Sequence, residues 1–173
     1  MNNWRERTEL LLGTEKAERL RAAHVLVVGL GGVGAYAAEM IARAGVGRMT
    51  LVDADAVSIS NINRQLVALH STVGRPKAEV LAERLRDIDP EIELTIIQEY
   101  IKDEATDTLL DREPRYDFVV DAIDTLAPKV NLIKGCLDRR IPLVSSMGAG
   151  AKTDPTLLEI KDIGKSHHCP LAH

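Results

Sequence analysis

Behind a polar N-terminal segment, the chain alternates short apolar runs with longer amphipathic stretches. Residues 3–12 and 14–22 read as two short helices broken at Gly13, with Leu10, Leu11 and Leu20 as their buried side. His24-Val25-Leu26-Val27-Val28 is a nearly continuous apolar run, the pattern of a strand covered on both faces. A glycine-rich turn then leads into a helix from Ala35 to Ala44. Gly45 and Gly47 end that helix, because glycine accepts the left-handed backbone of a C-cap. Met49 to Asp53 is a second strand. Residues 54–76 are long and irregular, a length that in a compact domain marks a functional loop.

Lys77 to Ile88 follows as a helix with Val80, Leu81, Ala82, Leu85 and Ile88 on its apolar side, stopped by Asp89-Pro90. The rest reads as a strand at Leu94 to Ile97, a helix at Asp103 to Arg112 and a strand at Phe118 to Asp121. A helix at Pro128 to Arg139 has proline in its first turn, and a strand at Leu143 to Ser146 runs into a turn at Met147 to Gly150. A last strand is expected at Leu157 to Asp162. Strand and helix alternate almost throughout. That predicts an α/β fold: a doubly wound, mostly parallel, Rossmann-like sheet preceded by two short N-terminal helices.

Composition agrees. The 173 residues suffice for one domain with a real core, and 45% apolar against 28% charged residues is a globular balance. Aromatics are 3%, so the core is aliphatic, as parallel strands under helices require. The expected division is helices at 1–22, a core at 23–165 and a tail at 166–173. A net charge of −4 with scattered cations gives no global basic field. Cys136 and Cys169 are too few for a disulfide framework and read as free thiols. Cys136 sits on the apolar side of its helix, where a small buried residue fits. His167-His168-Cys169 sits near a chain end without a rigid surround and is set aside as a metal or nucleophile site. No apolar run reaches membrane-spanning length and the first residues lack a signal-peptide pattern, so no stable membrane association and a cytoplasmic location are expected.

The chemistry is concentrated at strand ends. Gly29-Leu30-Gly31-Gly32-Val33-Gly34 lies between strand and helix, and its glycines Gly29, Gly31 and Gly34 match the dinucleotide fingerprint, with Gly32 in the same turn. Glycines let backbone N–H groups approach a phosphate, and the helix N-terminus adds partial positive charge. Asp53, ending the next strand, is placed to accept hydrogen bonds from ribose hydroxyls. These features leave NAD and ATP both open.

Further residues favour ATP. Ser60-Asn61-Ile62-Asn63-Arg64-Gln65 and Gly74-Arg75-Pro76-Lys77 put two cations, Arg64 and Lys77, and an uncharged donor, Asn61, near the same sheet edge. Cleavage of ATP between its α- and β-phosphates needs such cations to stabilise growing charge, and a dehydrogenase does not. Asp121-Ala122-Ile123-Asp124 closes the fourth strand, where Asp124 is a candidate ligand for Mg²⁺ bridging phosphates. Taken singly, Arg64 and Lys77 also read as solvated charges and Asp124 as a helix cap.

Taken in order, the glycine turn, Leu51-Val52-Asp53-Ala54-Asp55, the Ser60 to Gln65 run, Gly74 to Lys77 and Asp121 to Asp124 resemble the ubiquitin-activating-enzyme superfamily, from about Arg7 to Asp162. The resemblance implies that Asp53 contacts ribose, that Asn61, Arg64 and Lys77 contact the triphosphate, and that Asp124 binds Mg²⁺. It also implies a homodimer in which Arg7 reaches the neighbour's ATP.

Within the superfamily, Arg7 to Glu15, Pro128-Lys129, Gly148-Ala149-Gly150 with Asp154-Pro155-Thr156, and Pro170-Leu171-Ala172 are similar to the tRNA threonylcarbamoyladenosine dehydratase branch. That implies a tRNA substrate whose carboxylate is activated by ATP and then cyclised with loss of water. Activators of ubiquitin-like sulfur-carrier proteins are the alternative, although the Cys-x-x-Cys pairs they commonly carry are missing here. An NAD-binding or non-catalytic scaffold domain is a third reading. The dehydratase pattern continues beyond Ala172, so the chain is expected to be C-terminally truncated, with 166–173 starting the missing part.

Overall fold

The computed structural model describes residues 4–102, 104–167, 169, 171 and 172. The expected helices reaching Asn3 and Asp103, and the His168 of the histidine pair, therefore extend outside the described residues at those positions. Two short helices, α1 (Glu6–Leu12) and α2 (Thr14–Ala22), precede the sheet. The core follows as β1 (His24–Val28), α3 (Gly34–Ala44), β2 (Arg48–Val52), α4 (Lys77–Ile88), β3 (Glu93–Ile97), α5 (Glu104–Leu110), β4 (Phe118–Asp121), α6 (Leu126–Arg139) and β5 (Leu143–Ser145).

All strand pairs are parallel, in the order β3-β2-β1-β4-β5. Side-chain alternation splits the core in two. Val25, Val27, Met49 and Leu51 pack under α3 and α4 with Ala38, Ala42, Leu81 and Leu85. Leu26, Val28 and Val52 face the other way, onto Leu109, Leu110, Leu132 and Cys136 of α5 and α6. The sheet is doubly wound, with small alanines allowing α3 to lie close. From β1 the chain winds outward through β2 to β3, then returns to place β4 on the other side of β1. Winding reverses between β1 and β4, and the crevice beyond their C-terminal ends is where open α/β sheets bind ligands.

Gly45 caps α3 in the left-handed conformation, φ 101°, as expected. Several expectations do not hold. Leu10 and Leu11 are 71% and 83% exposed, and only Leu20 packs partly against the core, because α1 lies on α2 and away from the sheet. Leu157 to Asp162 forms no strand: Leu157 ends the 3-10 turn Pro155–Leu157, and the residues from there to the turn Ile163–Lys165 are exposed and do not add to the edge of β5. Ser146 falls just outside β5, and α6 begins two residues before Pro128. The loop from residue 54 to 76 is partly ordered by 3-10 turns at Ile59–Asn61 and His70–Thr72 and by a bridge between Ala56 and Pro76. Among the described residues no helix is long and apolar enough to cross a membrane.

Candidate functional site

The glycine turn is built by close approach. A Cβ on Gly34 would lie 1.7 Å from the Gly29 carbonyl oxygen, which no side chain survives. Gly29 has φ 87°, and its missing Cβ leaves room for the Ala122 carbonyl, 2.7 Å from where that atom would stand. The turn after β1 is thus pressed against the segment after β4, at the switch point of the sheet.

A chain of hydrogen bonds runs from this turn to Lys77. Leu30 N–H donates to Asp53 Oδ2 at 2.7 Å, and Asp55 N–H donates to Asp53 Oδ1 at 2.8 Å. Lys77 is buried at the start of α4, and its Nζ donates to Asp55 Oδ2 at 2.8 Å. Tyr100 Oη donates to the other Asp55 oxygen at 3.0 Å. The Lys77 ammonium beside it holds the Asp55 carboxyl below its usual range. Lys77 is therefore a cation fixed by a carboxylate and not the solvated charge its sequence context also allowed.

Arg64 closes the turn from above. Its carbonyl oxygen lies 3.3 Å, and its Cγ 3.7 Å, from where a Gly32 Cβ would stand, and Gln65 approaches Gly31. Its guanidinium donates to Ser60 O at 3.0 Å and to Asn63 Oδ1 at 2.9 Å. Asn61 holds the loop itself: its Oδ1 accepts the Ser58 N–H at 3.0 Å, leaving its NH₂ as the donor it can offer a ligand.

Asp124 stands exposed in the link between β4 and α6, two residues beyond Ala122. Among the described residues no three His, Cys, Asp or Glu side chains converge into a metal cage. A single exposed carboxylate just after β4 is still a donor that fits magnesium, which is commonly held by one or two carboxylates plus phosphate oxygens. Arg7 is not brought to the turn within its own chain. It lies exposed on α1, and Arg5, two residues earlier, packs on Gly45, at the opposite end of β2 from Asp53.

One buried pair was not anticipated. Lys129 of α6 is 1% exposed and pairs with the fully buried Asp121 at 2.6 Å. Proximity to Pro128 and the Asp121 strand end was the only signal, since a helical lysine ordinarily keeps its head in water. Cys136 is buried as expected, and burial pushes its thiol up to about 11. That makes it inert, not nucleophilic.

Comparison with known proteins identifies the family. The ThiF family pattern matches residues 5–173. The chain is 49% identical over 166 residues to the tRNA threonylcarbamoyladenosine dehydratase of Bacillus subtilis (strain 168), covering 96% of this chain and 65% of that protein. It is 42% identical over 172 residues to the enzyme of that name from Escherichia coli (strain K12), covering 98% of this chain and 63% of that one. The chain thus spans somewhat under two thirds of these curated relatives. Among solved structures, it resembles the E. coli tRNA N6-threonylcarbamoyladenosine dehydratase in complex with ATP, with TM-score 0.94 and 42% identity over 99% of this chain and 71% of that one. The chain belongs to the ThiF family.

Proposed function

We propose that this chain is the ATP-binding part of a cytoplasmic enzyme that activates a carboxylate by adenylation, and that its substrate is the threonylcarbamoyl side chain of a modified adenosine in tRNA. The observation that carries the reading is the continuous link from the phosphate turn through Asp53 and Asp55 to Lys77, with Arg64 packed on the same turn. A relative 42% identical over nearly the whole chain has been solved with ATP, which supports the nucleotide, and the names of the relatives support the substrate.

Amides of the Gly29–Gly34 turn and the N-terminus of α3 bind the phosphates, while Asp53 accepts from the ribose. Arg64, Lys77 and the Asn61 amide stabilise charge that builds on the β- and γ-phosphates as a substrate carboxylate oxygen attacks the α-phosphorus. The bond between the α-phosphorus and the bridging oxygen breaks, and pyrophosphate leaves with the electron pair. The mixed anhydride then has AMP as a good leaving group in place of oxide. Nitrogen within the same side chain attacks the carbonyl carbon, AMP carries away the oxygen, and the net change in the substrate is loss of water. Magnesium, when bound, neutralises phosphate charge, and Asp124 is the residue that would hold it. Arg7, distant from its own turn, serves the triphosphate of the neighbouring subunit in a homodimer.

Adenylation of a ubiquitin-like carrier's C-terminus is the second reading, favoured by 36% identity over 152 residues to the molybdopterin-synthase adenylyltransferase of Escherichia coli (strain K12). To separate the two, the protein is incubated with ATP, MgCl₂ and either tRNA bearing threonylcarbamoyladenosine or a carrier protein. Pyrophosphate release with a tRNA nucleoside lighter by one water is expected. A carrier adenylate beside unchanged tRNA would contradict the tRNA reading.

A further inference from the structure

Lys129 and Asp121 are both buried, Asp121 at the C-terminal end of β4 and Lys129 in the first turn of α6. The Lys129 ammonium donates to Asp121 Oδ2 at 2.6 Å, to the Ser146 carbonyl at 3.0 Å and to Ser145 Oγ at 3.2 Å. Those three bonds use all its hydrogens, so it has none for a ligand. Ser145 Oγ donates to the same Asp121 oxygen at 2.5 Å. The other Asp121 oxygen accepts the N–H of Ile123 at 3.0 Å, and the Asp121 carbonyl accepts that of Ser146 at 2.8 Å. A single buried knot therefore fixes three segments: the first turn of α6, the end of β5, and the backbone one residue before Asp124.

A buried ion pair is poor evidence for stability, because desolvation offsets much of its attraction and well-packed apolar side chains do as well. What apolar side chains cannot supply is the direction imposed on the Ile123 amide. We infer that Lys129 is a positioning residue: through Asp121 it sets the backbone that presents Asp124, and so tunes how strongly magnesium strengthens ATP binding. This rests on Asp124 being the magnesium-holding carboxylate. Partners one step behind a metal ligand typically change metal affinity about 10–100-fold when removed.

The test is calorimetric titration of the chain with ATP, with and without MgCl₂, on wild type, on the double variant Asp121→Leu/Lys129→Met, which also removes the acceptor for the Ile123 N–H, and on Ser145→Ala, each melted thermally in parallel. The double variant removes both charges together, so neither is left buried alone. Expected is a folded double variant whose affinity for ATP without magnesium matches wild type, while its magnesium-dependent gain falls about tenfold or more. Ser145→Ala moves the same way by less, and decides the matter should the double variant fail to fold. A full magnesium gain in the folded variants overturns the inference and leaves a structural pair only. If wild type shows no magnesium gain, the reading of Asp124 falls first and this one with it.

Discussion

The carboxylate of Asp53 accepts the Leu30 N–H at 2.7 Å, so the acid assigned to the ribose and the turn assigned to the phosphates form one unit. Each has its shape partly because of the other. Replacing Asp53 by Ala should weaken ATP about tenfold or more, the loss expected of charge-assisted hydrogen bonds. Discrimination between ATP and 2′-deoxy-ATP should collapse with it. Competitive titration of the two nucleotides reads both. Unchanged discrimination would remove Asp53 from the ribose.

Gly34→Ala tests the turn itself. Its new methyl would meet the Gly29 carbonyl at 1.7 Å, a clash that only backbone movement relieves. A loss of about 3 kcal/mol in urea unfolding is expected, at the upper end of overpacking costs, along with lost ATP binding. Wild-type stability would mean that the turn is looser than described.

Lys77→Ala should lower ATP-dependent pyrophosphate release about 10²–10³-fold, the size of effect seen when one preorganised donor to developing charge is removed. Single-turnover assays at saturating ATP separate this from binding. The variant also frees Asp55 from its cation, so the Asp55 carboxyl should rise towards its usual range. Turnover near that of wild type would strip Lys77 of its role.

His24, at the far end of β1, gives a prediction about pH. Its Nδ1 lies 3.0 Å from the Pro114 carbonyl and must donate there, so its Nε2 accepts from Thr50 Oγ1 at 2.9 Å. Burial holds its pKa below the ordinary 6.5. As pH falls through 6.5 the unfolded chain takes up a proton that the folded chain resists, so the full stability is present above that value and is lost below it. Denaturant midpoints between pH 7.5 and 5.5, about a unit either side of the ordinary value, should fall with pH, and His24→Gln should flatten the slope. A slope unchanged in that variant would assign the effect elsewhere.

Local chemistry was legible in the sequence; long-range packing was not. Gly29 to Gly34 could be recognised because only glycine tolerates a left-handed φ and a 1.7 Å approach, and the strands because both their faces are covered. Leu10 and Leu11 misled because an apolar side of a helix does not say what will cover it, and α1 lies on α2 away from the sheet. Leu157 to Asp162 has the composition of a strand, yet a strand also has to pair, and the segment stays exposed instead of adding to the edge at β5. Lys129 and the Lys77–Asp55 pair stayed hidden because a lysine's burial is set by partners 8 and 22 residues away, which no local periodicity encodes.

The most direct test is titration of the chain with ATP, AMP and NADH, on wild type and on Arg64→Ala. The proposed convergence of the glycine turn and its cations on one triphosphate predicts that ATP binds and NADH does not displace it. It also predicts that Arg64→Ala weakens ATP about tenfold or more and leaves AMP unchanged, because the guanidinium is assigned to the outer phosphates. NADH displacing ATP, or wild-type ATP affinity in Arg64→Ala, would contradict the account.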